Sequence, residues 1–148
     1  MRCNTGISPE ILMDQHLIAE YRELLIPVGQ LRKLEWVSKT PSPERFKLGT
    51  GHIVFWRKKQ LYLKRRHEAL VLEMDKRGFN HNFSFWDLED IPDEFLNDWE
   101  PDLEASMLVR ERVWERIQLK PEWYRFNKKT IEDIEGYKER LFNSSVTY

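Results

Sequence analysis

The sequence predicts an all-α fold, a compact single domain spanning residues 1–148 with three main helices plus an extra C-terminal helix. Three observations carry that expectation. Apolar residues recur at helical spacing in long stretches. Prolines and glycines cluster where those stretches should bend or stop. No convincing strand pattern and no internal repeat interrupts them. At 148 residues, 41% hydrophobic and 33% charged, the chain suits one globular domain with a real core.

The first helix is expected to open with Asp14 as N-cap and run to about Ser38. Met13 and Ile18 stand at the positions of a hydrophobic staple. Pro27 with Gly29 should kink or break this helix near its middle. Leu17, Tyr21 and Leu24 share one face, at i, i+4 and i+7, and His16, Glu20 and Glu23 share another. Such a polar row is ordinarily solvated surface, and periodicity alone gives it no other meaning. A loop follows in TPSPERFK. The second helix should open at Thr50 and end before Gly78, with Ile53, Trp56, Leu63, Leu70 and Met74 on a wide apolar face. Residues 79–100 read as irregular, wrapping the core through Phe83, Phe85, Trp86, Phe95 and Trp99.

The third helix should start near Pro101 and end before Pro121. Arg112, Arg116 and Lys120 form a basic stripe along it, and WYRF, Trp123 to Phe126, follows. Cations interleaved with aromatics suit a phosphate backbone and an unstacked base; they equally suit a core edge with solvated charges. A fourth helix is expected from Thr130, as N-cap, to about Phe142.

Charge narrows the function classes. The net charge is −1, yet Phe85–Glu104 holds nine acids and no base, and Arg57–Arg66 holds six bases and no acid. This segregation can give a dipolar surface whose basic side meets phosphates, or simply two solvated helix faces. No apolar run is long enough for a membrane span, and MRCNTGISPE lacks the apolar region of a secretory signal. Cys3 is the only cysteine, which fits a reducing, cytoplasmic setting. There is no zinc spacing, no phosphate-binding glycine loop and no G-x-S-x-G, so neither a metal nor a cofactor is expected.

Seven segments then occur in order: MRCN, DQHLIAEYREL, GTGHIVFW, KRGFN, IPDEF, EAS and PEWY. In this order and spacing the chain resembles the pyrimidine dimer DNA glycosylases of the phage endonuclease V type, over roughly residues 1–127, with residues 128–148 as an extension. The resemblance implies a small helical monomer in the cytosol of a bacterium or a phage-infected host. Its partner would be duplex DNA carrying a damaged or modified base. It implies excision of UV-induced pyrimidine dimers, then a nick by β-elimination. The nucleophile would be the α-amino group of residue 1, with Glu23 as the second catalytic group.

An α-amine suits that work. With a pKa of about 7.7–8.0 it is neutral roughly one time in ten near pH 7, far more often than an ordinary lysine. The family's mature terminus is a threonine exposed by methionine removal. Here Arg2 follows Met1, and methionine is normally removed only before small residues, so the Met1 amine is the expected nucleophile. By the same resemblance Arg2, Gln15, His16 and Arg22 are DNA and sugar contacts, Arg112 and Arg116 are cations on the third helix, and Trp123 and Tyr124 are binding aromatics. Two departures stand out. Ile26 occupies a position where the family often has arginine, for which Arg32 or Lys33 could substitute, and Cys3 replaces an apolar residue. Two other readings remain beside this one: the same chemistry on a different damaged base, and a non-enzymatic DNA-binding protein.

Overall fold

The computed structural model describes residues 1–33 and 41–147. The end of the first predicted helix, residues 34–38, lies outside them. The described chain is mostly helical. Residues 1–13 run irregularly except for one 3-10 turn, Pro9–Ile11. Helix α1 is Asp14–Glu23 and α2 is Ile26–Gln30, followed by a 3-10 turn, Leu31–Lys33. Helices α3 (His52–Arg57) and α4 (Gln60–Arg77) come next, then a 3-10 turn, Asp93–Phe95. Helix α5 is Leu103–Leu119, and α6 is Ile134–Asn143. Between them Arg125–Phe126 (β1) pairs antiparallel with Lys129–Thr130 (β2).

The core lies where α1 crosses α4 and α5 packs on α6. Leu17, Tyr21 and Leu24 of α1 meet Leu63, Leu70 and Met74 of α4 and Val109, Val113 and Ile117 of α5 in one buried cluster. Tyr137 and Leu141 of α6 belong to the same cluster. Cys3 is buried there as a small apolar side chain.

Tertiary hydrogen bonds moved several helix boundaries. The first helix does end near Pro27, with a break at Leu24–Leu25. Asp14 does not cap it. Met13 takes the N-cap position, because the Asp14 carboxylate accepts the N–H groups of Asn127 (2.9 Å) and Lys128 (2.7 Å) and a guanidinium N–H of Arg77 (2.9 Å). The predicted second helix is two helices. At Lys58 and Lys59 the backbone leaves helical geometry, the Asn97 amide donates to Lys58 O at 2.8 Å, and Lys59 bridges to Leu96. The Gln60 side chain bonds the freed carbonyl of Arg57 at 3.0 Å. Helix α5 starts two residues beyond Pro101, with Asp102 as N-cap accepting Ala105 N–H at 2.7 Å. Thr130 caps nothing: it sits in β2, and Asp133 caps α6 by accepting Gly136 N–H. Phe83, predicted to cover the core, is 53% exposed.

The irregular N-terminal segment needs partners for its backbone, because it makes few ladder bonds of its own. Buried arginines supply them. Arg66 donates to Ile7 O (2.7 Å), Arg77 to Pro9 O (3.2 Å), Glu10 O (3.2 Å) and Leu12 O (2.7 Å), and Arg110 to Gly6 O (3.0 Å). The planar fork of donors on arginine is suited to reaching several carbonyls at once. This places residues 1–5 against the C-terminal end of α1.

Candidate functional site

Glu23 is the last residue of α1 and is half-buried. Its Oε2 accepts the backbone N–H of Arg2 at 2.7 Å. The carboxylate thus holds the residue next to Met1 in the chain, while the α-amine itself makes no ion pair with Glu23. Met1 lines a small cleft with Arg2, His16, His52, Arg112 and Arg116. His52 faces the α-amine electrostatically. Burial lowers the His52 pKa, the bond to Lys47 O raises it, and the α-amine and Arg112 lower it further.

Beside this cleft opens a groove of ≈ 290 Å³. Arg2, Gln15, His16, Arg22, Trp123 and Tyr124 all line it, with Ile18 and Ala19 as its apolar part. His16 is buried and stacks on Tyr124, ring centroids 4.9 Å apart. Burial, then the nearby Arg2 and Arg116 charges, lower its pKa to about 3. It is thus neutral at ordinary pH, and neither ring nitrogen has a hydrogen-bond partner among the described residues. Trp123 is 56% exposed and packs edge-on against Tyr124, so one aromatic supports the other. Gln15 is committed elsewhere: its amide donates to Trp123 O at 2.8 Å and accepts Arg125 N–H at 3.0 Å. In this structure it fixes the loop that carries Trp123.

Arg112 and Arg116 are half-buried on α5 and face Met1 from the cleft. Burial and then Arg116 and Arg2 hold the Arg112 pKa below its ordinary value, so these cations crowd one another. Arg2, Arg22, Arg112 and Arg116 form no salt bridge with any described residue. Ile26 is 39% exposed. Arg32 stacks over Trp86 at 3.8 Å and lies outside the residues that line the groove.

The arginines of the basic run Arg57–Arg66 are engaged within the fold. Arg57 and Arg66 are buried, and Arg65 pairs with Asp98 at 3.1 Å. Glu20, expected on a solvated row, is completely buried and bonds Arg66 through Nε at 2.6 Å and Nη2 at 3.1 Å. It also accepts the Asn4 amide at 2.8 Å. A sequence signal for this existed: Met13, Leu17, Glu20 and Leu24 follow the spacing of a buried helix face, and a charge at such a position calls for an opposite one.

A helical protein with unpaired cations and an exposed tryptophan around one groove has the features of a nucleic-acid-binding site. Residues 2–87 match the family described as pyrimidine dimer DNA glycosylase, and the chain belongs to that family. Membership makes it a DNA-repair glycosylase with DNA as its partner. The matched span holds Arg2, Gln15, His16, Arg22 and Glu23, whereas Arg112, Arg116, Trp123 and Tyr124 lie beyond it. Among the described residues no helix is long and apolar enough to cross a membrane, and no cluster of potential metal ligands occurs.

Proposed function

We propose that this chain is a bifunctional DNA glycosylase and abasic-site lyase that excises UV-induced pyrimidine dimers, with the Met1 α-amine as nucleophile and Glu23 as its partner. The observation that carries the reading is the Arg2 N–H bond to Glu23, which seats residue 1 beside a carboxylate. The amine lone pair forms a bond to C1′ as the C1′–base bond breaks, and the base leaves with that electron pair and takes up a proton. The amine proton then passes to O4′ as the sugar ring opens, which leaves a Schiff base at C1′. Loss of a C2′ proton expels the 3′ phosphate and nicks the strand, and water frees the amine. Glu23 stabilises the oxocarbenium-like sugar and carries these protons. His16 is poorly suited to that task, since a ring that stays neutral down to about pH 3 is a weak base. Arg2, Arg22, Arg112 and Arg116 would meet phosphates, and Trp123 would stack on an unpaired base. The enzyme works as a monomer in the cytosol, with residues 1–148 acting as one domain.

Protein with its native terminus, duplexes carrying an abasic site, a cyclobutane dimer or a modified base, and borohydride make the test. A covalent protein–DNA adduct is expected, and blocking the α-amine or leaving an N-terminal tag should abolish it. Full activity with a blocked terminus would sink the Met1 assignment. Glu23→Gln should keep duplex affinity and lose turnover by roughly 10²-fold or more; unchanged turnover would remove Glu23 from the chemistry. A second reading, excision of a different damaged base, is favoured by Ile26, which leaves an apolar surface where the resemblance leads one to expect a cation. The substrate panel separates the two.

A further inference from the structure

Gly6 is where the two ends of the molecule meet. Its carbonyl oxygen accepts from Arg110 Nη2 (3.0 Å), Ser106 Oγ (3.2 Å) and Thr147 N–H (3.3 Å), and Gly6 and Thr147 form an antiparallel bridge. Gly6 has φ +80°, and a Cβ there would lie 2.5 Å from Ser106 Cβ, so a side chain has neither the conformation nor the space. Arg110 is 1% exposed and has no carboxylate partner among the described residues. Its Nη1 donates to Leu141 O (2.9 Å), Phe142 O (3.1 Å) and Ser144 O (2.8 Å), its Nη2 also to Ser145 O (3.3 Å), and its Nε to Ser106 Oγ (2.9 Å). The carbonyl end of α6 thus holds a buried guanidinium that in turn holds Gly6. From Gly6 the chain runs back through Asn4, bonded to Glu20, to the Arg2 N–H bonded to Glu23.

We propose that Arg110 with residues 141–147 is a positioning clamp for the N-terminal nucleophile: the C-terminal segment, through Gly6, sets where the Met1 amine stands relative to Glu23. The clamp rests on the proposed function above. A guanidinium stripped of the tail carbonyls would stay buried with only Ser106 Oγ and Gly6 O to satisfy it, so release of the tail and the hold on Gly6 are coupled. A purely scaffolding residue would lower the folded fraction and reduce binding and chemistry in proportion. A positioning residue changes chemistry at constant binding.

The test is single-turnover borohydride trapping on an abasic-site duplex at saturating protein, with duplex Kd and thermal midpoint measured alongside. Full-length protein with its native terminus is compared as wild type, Arg110→Met and Thr147→Pro. Arg110→Met should trap roughly tenfold more slowly or worse at unchanged Kd, as expected when a reacting group is misplaced by about an ångström. Thr147→Pro removes one donor to Gly6 and leaves Arg110 in place, so it should slow trapping by a smaller factor. Folded Arg110→Met that traps at the wild-type rate overturns the clamp, and so does a fall in affinity matching the fall in rate. If Arg110→Met does not fold, Thr147→Pro decides, and a wild-type rate there overturns the clamp. Wild-type protein that never traps removes the nucleophile, and the functional reading falls with it; loss of the clamp alone leaves that reading standing.

Discussion

Two sets of arginines divide this molecule. Arg66, Arg77 and Arg110 are buried, and their guanidinium N–H groups reach carbonyl oxygens, Ser106 or the carboxylates of Asp14, Glu20 and Glu73. Arg2, Arg22, Arg112 and Arg116 stand around the groove and cleft without a salt bridge among the described residues. One side chain does two opposite jobs. Where its donors are saturated it organises backbone; where they are left unsaturated, beside like charges, it awaits an anion. The two glutamates of α1 repeat the division one turn apart. Glu20 is consumed by Arg66, whereas Glu23 spends one oxygen on Arg2 N–H at the edge of the cleft.

The largest effect should come from breaking the buried set. Arg66→Met leaves Glu20 buried without its partner and should cost about 3–5 kcal/mol in urea unfolding, while the double change with Glu20→Met recovers much of that loss. If Arg66→Met is nearly neutral, the pair is not the anchor its geometry suggests. A smaller effect is expected from the groove set. Arg116→Ala should weaken duplex binding at all sequences alike and reduce the salt slope by about one phosphate contact, with little change in unfolding free energy. A steep loss of stability with an unchanged salt slope would move Arg116 into the buried class.

A third effect appears only in acid. His16 has a folded pKa of about 3 against an ordinary 6.5, so below pH 6.5 the unfolded chain takes up a proton that the folded chain refuses. Its contribution is therefore lost as pH falls from about 6.5 towards 3. His16→Phe should flatten the stability curve in that window and leave it unchanged above pH 7. An unaltered curve would mean that His16 is charged in the folded protein.

Much of this was legible from residue order. The Leu17, Tyr21 and Leu24 face and the helix break ahead of Pro27 follow from spacing and local chemistry, whereas the burial of Cys3 was signalled only by the resemblance. The groove was legible only through the resemblance, since Arg22 or Trp123 taken singly reads as ordinary surface. What escaped shares one physical cause. The Lys58–Lys59 break, the diversion of Asp14 from capping and the pairing of Thr130 depend on hydrogen bonds from residues far away in the chain. The apolar residues on either side of Lys58 continue one helical pattern, so periodicity cannot register the gap. Glu20 was misread because its row was judged by polarity, although its spacing from Leu17 and Leu24 placed it inside.

The anchoring of residues 6–12 has an evolutionary consequence. Arginines that grip carbonyls recognise something every residue has, so the anchor is indifferent to most side chains in the segment it holds. The instruction for where the chain begins is written far downstream, 59 residues away between Ile7 and Arg66 and 104 between Gly6 and Arg110. Apart from Gly6 and the buried Ile7, Pro9 and Leu12, the stretch is therefore free to drift in sequence while its position is inherited through three distant codons. A saturation screen of this region should find tolerance at exposed Glu10 and intolerance at arginines that a local view would never connect to it.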